Sequence, residues 1–250
     1  MIAIALTGGG NRGPLQVGAL QAIFAHGIWP DFVVGTSAGA LNAIYLAADG
    51  TPAATDRLPA VWRDVKFGTA FSGNYFQAVW RFLRGNDSFY ASDNMRRIIA
   101  SHLDPLARTY ADLKIPCYIT TADLHSNRLW LFPDEDDKSA PLVDTVLASA
   151  TLPALHPPVA YGGTQLVDGG VVDNVPAGIA MDKGATEIYL INVGYGGELQ
   201  GPVKGIPGIL SRTLTTFLAQ SLFQDMERAS ANPDVQLHHI HITEMGDTPF

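Results

Sequence analysis

A serine between two glycines, Ser37 in Gly35-Thr36-Ser37-Ala38-Gly39, could act as a nucleophile. It follows an apolar run at residues 32–34 and precedes a small-residue helical pattern, so the sequence predicts a strand, a sharp turn and a helix. Such a turn projects the hydroxyl at a helix N-terminus, where the helix dipole and free N–H groups favour developing negative charge. A side chain at Gly35 or Gly39 would clash where strand and helix approach closely. The same string also occurs by chance, so its context decides its role.

The segment Thr7-Gly8-Gly9-Gly10-Asn11-Arg12-Gly13 lies between the first predicted strand and the first predicted helix. Its backbone N–H groups can point at an anion without side chains in the way. Three of its glycines fit the dinucleotide-binding pattern Gly-x-Gly-x-x-Gly, but Asp31 precedes the second strand instead of ending it, as a ribose-binding acid would. The position of Ser37 therefore favours an oxyanion hole, which stabilises charge on an ester carbonyl. The glycines of the pattern are Gly8, Gly10 and Gly13.

A candidate base for Ser37 is Asp168, which ends a predicted strand and is followed by Gly169 and Gly170. A turn without side chains lets the carboxylate approach another loop closely, although an isolated Asp-Gly is more often only a turn. An Asp with the usual pKa of about 3.9 is a weak base toward a hydroxyl. We expect apolar neighbours to bury Asp168, to raise its pKa and to leave it within hydrogen-bond reach of Ser37. These neighbours are Leu166, Val167 and Val171.

Short apolar runs alternate with longer helical patterns, which predicts an α/β fold around a largely parallel sheet. The predicted strands are residues 2–6, 32–34, 117–122, 129–132, 188–193 and 237–242, and the predicted helices include residues 13–24, 40–48 and 210–229. The last helix has one apolar face that we expect to pack on the domain. That face consists of Leu210, Leu214, Phe217, Leu218, Leu222 and Met226.

An unusual density of aromatic residues marks residues 62–92, which we expect to be helical and partly lid-like. Such a segment could line an acyl channel or touch lipid, and aromatic helices also serve simply as core. The aromatic residues are Trp62, Phe67, Phe71, Tyr75, Phe76, Trp80, Phe82, Phe89 and Tyr90.

Composition excludes several classes of protein. The chain of 250 residues is 47% hydrophobic and 16% charged, so we expect one domain over residues 1–250. A net charge of -8 without a basic cluster disfavours nucleic acid and strongly anionic membranes, and leaves hydrophobic contact with a membrane surface open. The single Cys117 allows neither an intramolecular disulfide nor a zinc cluster, and we predict no metal and no cofactor.

The N-terminal apolar run is far shorter than a secretory signal and lacks a basic lead. No apolar stretch reaches the roughly 18 to 20 residues that span a bilayer. The sequence therefore predicts a cytoplasmic protein, peripheral to membranes at most. The sequence leaves the oligomeric state open.

The three segments, in this order, resemble the patatin-like phospholipase family, and the resemblance runs from about residue 2 to 195. Ala148-Ser149-Ala150-Thr151-Leu152-Pro153 and Asp173-Asn174-Val175-Pro176 are also similar to segments of that family. The resemblance implies a three-layer α/β/α fold and a lipid or ester substrate. It implies further that Ser37 is the nucleophile and Asp168 its partner in a dyad that needs no calcium, with Gly9, Gly10 and Arg12 shaping the oxyanion hole. Thr7 departs from the Asp that many members carry there, which could alter the support of the loop.

Two other functions fit parts of the sequence. An α/β-hydrolase with a Ser-Asp-His triad would use His238, His239 or His241 after Asp168, but Ser37 comes very early for that fold. A dinucleotide-binding module would use only the glycine segment. The lipid, its chain length and the position of the bond cleaved are not specified by the sequence.

Overall fold

A computed structural model describes residues 1–65, 80–81, 84–134, 138–194 and 201–242. Helices and strands alternate over most of this length, as the hydrophobic pattern predicts. The strands are β1 (Ile2–Leu6), β2 (Phe32–Thr36), β3 (Cys117–Asp123), β4 (Arg128–Phe132), β5 (Val159–Tyr161), β6 (Thr164–Asp168), β7 (Glu187–Asn192) and β8 (Gln236–His241). The α-helices are α1 (Gly13–Ala25), α2 (Ala38–Asp49), α3 (Ala54–Asp64), α4 (Asp93–Leu103), α5 (Leu142–Ser149), α6 (Ala177–Asp182) and α7 (Ile206–Ala231).

The strands form one sheet in the order β5-β6-β3-β2-β1-β7-β8, with β4 paired to β3. Five adjacent strands run parallel, the central strands β3, β2, β1 and β7 and the edge strand β8. Strands β4, β5 and β6 join by antiparallel pairing at the β3 side. The mostly parallel sheet predicted from the sequence is confirmed, and its antiparallel side carries the strand that ends at Asp168.

Helices cover both faces of the sheet, which gives the three layers α/β/α. Successive residues of a strand face opposite sides. On β1, Ile4 and Leu6 pack with helices α1 to α5, whereas Ala3 and Ala5 pack with α6 and α7. Both faces of the central strands are therefore buried, as a parallel sheet requires.

The predicted packing of helix α7 is partly wrong. Leu222 is buried, but Leu210 and Phe217 are exposed to solvent. The helix has apolar residues on more than one side, and a helical period alone does not show which side faces the sheet. The side chains of Leu214 and Leu218 lie outside what the structure describes.

Most of the predicted aromatic segment, residues 66–79 and 82–83, lies outside the described residues. Trp62 belongs to helix α3, and the backbone N–H groups of Phe89 and Tyr90 bond to the carbonyls of Ala154 and Leu155. The lid-like role of residues 62–92 stays a prediction. So does the organisation of residues 1–250 as one domain.

Candidate active site

Ser37 occupies the turn between β2 and α2. It adopts φ 54° and ψ -118°, a conformation that residues with a side chain rarely take and that is characteristic of functional sites. Its backbone N–H donates a hydrogen bond to the Oγ of Ser149, 2.8 Å away at the end of α5. Ser37 thus has the sharp turn at a helix N-terminus that the sequence predicts.

Gly35 and Gly39 allow that turn to form, because neither position has room for a side chain. A Cβ at Gly35 would lie 2.5 Å from the carbonyl oxygen of Gly39. A Cβ at Gly39 would lie 2.6 Å from the carbonyl carbon of Leu6 in β1. The steric role predicted for both glycines is confirmed.

Strand register brings Asp168 beside Ser37. Thr36 pairs with Thr120 on β3, and the next β3 residue, Thr121, pairs with Asp168. The following turn crosses β3 closely, since a Cβ at Gly169 would lie 2.6 Å from the carbonyl carbon of Thr120. The N–H of Gly170 donates to the Asp168 carboxylate at 2.8 Å.

Asp168 is buried, with an exposed fraction of 3%. Burial raises the pKa of its carboxyl to about 6, against the smaller opposite effects of hydrogen bonding from the Ser37 side chain and from the Gly170 N–H. The burial and the proximity to Ser37 expected from the sequence are present. The expected contribution of Val171 is wrong, because that side chain is exposed.

The glycine segment lies against Ser37. A Cβ at Gly8 would come within 3.3 Å of the Ser37 Cβ, and the Gly8 N–H bonds to the carbonyl of Asn174 at 3.2 Å. Gly10 has φ +55°, in the left-handed region that favours glycine. Among the hydrogen bonds described for this segment, none is donated by the N–H of Gly9 or Gly10. The sequence resemblance predicts that Gly9 and Gly10 help to shape the oxyanion hole.

Arg12 and Thr7 fix the same segment to the chain after β7. The Nη1 of Arg12 donates to the carbonyl of Val193 at 3.2 Å. The Thr7 hydroxyl oxygen accepts the Val193 N–H at 3.1 Å. A Cβ at Gly9 would collide with the Val193 side chain. Thr7, which stands where many members of the family carry Asp, therefore supports the loop through its hydroxyl group.

Three supporting residues are not evident from the sequence. Ser149 accepts a hydrogen bond from the Ser37 N–H. The hydroxyl groups of Thr36, which precedes Ser37, and Thr120 bond to each other at 2.7 Å. Ser149 lies 112 positions from Ser37 along the chain. The segment around Ser149 resembles the family, but no local pattern indicates that its hydroxyl meets the Ser37 backbone.

The C-terminal histidines lie on β8, at the edge of the sheet. Two strands, β1 and β7, separate β8 from β2, which at about 4.8 Å per strand is about 14 Å between their backbones. Hydrogen bonds join His238 to Glu187, His239 to Asn192 and His241 to the carbonyl of Gly194. These contacts give the histidines structural partners on and after β7.

The described residues contain no group of three or more His, Cys, Asp or Glu that could hold a metal ion. None of the helices within this part of the chain is long and apolar enough to cross a membrane. Cys117 is buried in β3.

The sheet, the serine turn and the adjoining glycine loop define a class of α/β proteins built around a strand–serine–helix unit. Residues 4–181 match the family model described as patatin-like phospholipase, and the chain belongs to that family. The matched residues include the glycine segment, Ser37 and Asp168.

Curated relatives share limited identity with the chain. It is 28% identical over 261 residues to lysophospholipase nte1 of Aspergillus terreus, covering 93% of this chain and 16% of that protein. It is 27% identical over 217 residues to lysophospholipase NTE1 of Mycosarcoma maydis, covering 80% of this chain and 10% of that protein. The chain thus spans about a sixth or less of the length of these relatives.

Two solved structures are similar over most of the chain. VipD from Legionella pneumophila has a TM-score of 0.49 at 15% identity, covering 92% of this chain and 55% of that one. ExoU from Pseudomonas aeruginosa, crystallised with SpcU, has a TM-score of 0.44 at 16% identity, covering 91% of this chain and 52% of that one.

Proposed function

We propose that the chain is a serine-dependent lipid acyl hydrolase that cleaves carboxylic esters through a dyad of Ser37 and Asp168. The observation that carries this proposal is a buried carboxylate, with its pKa raised to about 6, beside a serine in a strained turn at a helix N-terminus. A general base works best when its pKa lies near the working pH. Membership in the patatin-like phospholipase family and similarity to lysophospholipases favour a lipid ester as substrate.

In the first half-reaction, Asp168 takes the proton of the Ser37 hydroxyl while Oγ bonds to the acyl carbon. The carbonyl π electrons move to oxygen, and the N–H groups of Gly9 and Gly10 stabilise that negative charge. Arg12 supports the loop that presents them. When the intermediate collapses, the alcohol leaves with the proton from Asp168, and Ser37 retains the acyl group.

In the second half-reaction, water attacks the acyl carbon and gives a proton to Asp168. The carboxylic acid then leaves, and the proton returns to Ser37 Oγ. One base serves both steps, so the cycle uses neither a histidine nor a metal ion.

Fluorophosphonate labelling tests the nucleophile. We expect the wild-type protein to be labelled at Ser37 and to hydrolyse p-nitrophenyl esters, and Ser37→Ala to lose both properties. Asp168→Asn should lower kcat by at least about 10²-fold, because removal of a general base forfeits that much rate. Labelling that persists in Ser37→Ala would contradict the proposal.

Two matched experiments separate the alternatives. For a triad, one of the single variants His238→Gln, His239→Gln and His241→Gln should lose most of the rate, whereas a dyad predicts that all three stay within a few-fold of wild type. For a dinucleotide module, NADH should raise the melting temperature of a protein that does not label.

A panel of esters from short to long chains, beside phospholipids and lysophospholipids, then identifies the substrate.

We also propose that helix α7 makes peripheral contact with a lipid surface. Its exposed side includes Ile209 and Phe217, with exposed fractions of 53% and 68%, and apolar side chains of this kind insert at the boundary of headgroups and acyl chains. Residues 201–224 contain Lys204 and Arg212 but no Asp or Glu, although the whole chain has a net charge of -8. A membrane surface therefore meets little repulsion at this helix. Among the side chains of α7 that the structure describes, Ile206, Leu210 and Phe223 are also strongly exposed.

A cytoplasmic location stays a prediction from the sequence.

A further inference from the structure

Two fully buried amide side chains, Gln16 on α1 and Asn42 on α2, lie behind the glycine loop. The Nδ2 of Asn42 donates to the Oε1 of Gln16 at 2.8 Å. A neutral pair in this position costs free energy unless its other donors and acceptors also have partners. Two of those partners are backbone carbonyl groups of the glycine segment.

The partners are the two ends of the loop. The Nε2 of Gln16 donates to the carbonyl of Thr7 at 2.8 Å, immediately before Gly8. The Nδ2 of Asn42 also donates to the carbonyl of Gly13 at 3.0 Å, where the loop ends and α1 begins. One amide pair therefore holds the backbone on both sides of Gly9 and Gly10.

Trp62 completes the arrangement from α3. Its indole Nε1 donates to Oδ1 of Asn42, the only oxygen of that side chain, at 2.8 Å. Its ring also packs against Gly13, where a Cβ would collide with it. Asn42 is thereby fixed in one orientation, with the carbonyl toward Trp62 and both N–H groups toward the loop and Gln16.

Asn42 also lies on the helix that begins directly after Ser37. Its side chain thus connects the nucleophile's helix to both ends of the loop. The bond between Gln16 and the Thr7 carbonyl fixes the Thr7–Gly8 peptide, and the Gly8 N–H bonds to Asn174 on the other side of the same peptide. Because the segment is held at Thr7 and at Gly13, the short backbone between them, which carries the Gly9 and Gly10 N–H groups, has fewer conformations available.

We propose that Gln16 and Asn42 are positioning residues that orient the Gly9 and Gly10 N–H groups toward the acyl oxygen at Ser37. This inference rests on the hydrolase function proposed above and extends it to residues that do not touch the substrate. Both side chains are uncharged amides, so the geometry they impose does not vary with pH.

Gln16→Met tests the proposal, because it keeps the length of the side chain and removes its hydrogen bonds. We expect kcat for a p-nitrophenyl ester to fall at least tenfold, with KM within twofold, because the charge on the acyl oxygen develops only in the transition state. The pH at half-maximal kcat/KM should not move, since Asp168 is untouched. Amide hydrogen exchange at residues 8–12 should become faster.

Tyr110→Phe is the matched control. It also removes a buried side-chain hydrogen bond, the one from the Tyr110 hydroxyl to Thr145 at 3.1 Å, outside the loop. We expect it to lower the melting temperature but to leave kcat and loop exchange unchanged. If Gln16→Met has a kcat within twofold of this control, or unchanged exchange at residues 8–12, the proposal is wrong.

Trp62→Phe decides the question if Gln16→Met does not fold. It keeps an aromatic ring against Gly13 and removes only the donor to Asn42, so we expect a loss of kcat of at least twofold without a change in KM. An unchanged kcat and unchanged loop exchange would contradict the proposal. If the wild-type protein neither labels nor hydrolyses any ester, the hydrolase proposal fails, and hydrogen exchange alone then decides whether the amide pair holds the loop.

Discussion

At the scale of single residues, the proposed chemistry depends on the carboxyl of Asp168. Its burial favours the neutral form and raises the pKa to about 6, so the group is a stronger base than an exposed Asp and is still ionised at neutral pH. We expect kcat/KM to rise with pH along a single ascending limb with a midpoint near 6, because only the ionised form accepts the Ser37 proton. Activity at pH 5 should be about one-tenth of the plateau, as expected for one group with this pKa. Initial rates on a p-nitrophenyl ester from pH 4.5 to 8 measure this.

A second buried carboxyl provides the control for that experiment. Burial also raises the pKa of Asp225 to about 6, and its carboxylate accepts the Gly178 N–H at 2.5 Å, in the contact between α7 and α6. Asp225→Asn should leave the limb in place if Asp168 causes it. A limb that disappears in this variant, or that has its midpoint near 4 in the wild type, would contradict the assignment to Asp168.

The residues of the site differ in how far the sequence specifies them. Ser37, Asp168 and the glycines stand in short patterns with a steric or chemical meaning, so they could be predicted. Ser149 and the amide pair of Gln16 and Asn42 could not, since each acts through a contact between elements far apart in the sequence. Such contacts depend on packing, which a local pattern does not encode.

At the scale of elements, the close approach of β1, β2 and α2 makes Gly39 intolerant of substitution. In Gly39→Ala the new methyl group would meet the Leu6 backbone, which cannot move without disturbing β1. We expect the free energy of unfolding to fall by about 1 to 3 kcal/mol, the usual cost of overpacking. Urea unfolding curves measure this change.

Gly18→Ala is the matched control, because Gly18 lies in α1 with nothing within 4 Å of its would-be Cβ. Alanine should stabilise that helix by up to about 1 kcal/mol relative to glycine. Both substitutions replace glycine with alanine, but they should change the free energy of unfolding in opposite directions. Equal effects at both positions would refute the steric account of Gly39.

The elements themselves follow the hydrophobic pattern closely, except for the short strand β5 and the packing of helix α7. Strands β1, β2, β3 and β7 each contain an apolar run and are largely buried on both faces, and the sequence predicts them within two residues. Strand β5 has three residues, none of them fully buried, so it carries no comparable signal. Helix α7 is predicted as a helix, but its orientation is not, because its apolar residues do not form a single stripe.

At the scale of the whole molecule, charge and exposed apolar surface are distributed unequally. The net charge of -8 disfavours polyanions, as the sequence predicts, whereas residues 201–224 carry only the basic side chains Lys204 and Arg212. Helix α7 contacts the turn at Gly169–Val171, directly after Asp168. Val171, in that turn, and Val172, directly after it, are exposed. The proposed lipid contact therefore lies on a helix that packs against the turn after Asp168.

Vesicle flotation tests this arrangement in the intact chain. We expect the wild-type protein to float with neutral phosphatidylcholine vesicles, and Ile209→Glu combined with Phe217→Glu to reduce the bound fraction at least tenfold. Burying one such side chain contributes about 1.5 to 3 kcal/mol, so losing two accounts for that change. Turnover of a short, monomeric ester should stay within twofold, because neither residue belongs to the proposed catalytic site.

Ser230→Glu combined with Gln236→Glu adds the same charge at exposed polar positions and should float like the wild type. If the wild type instead stays unbound and the Ile209 and Phe217 variant converts a dimer to a monomer in size-exclusion chromatography, a second copy of the chain covers α7 and the membrane proposal is wrong.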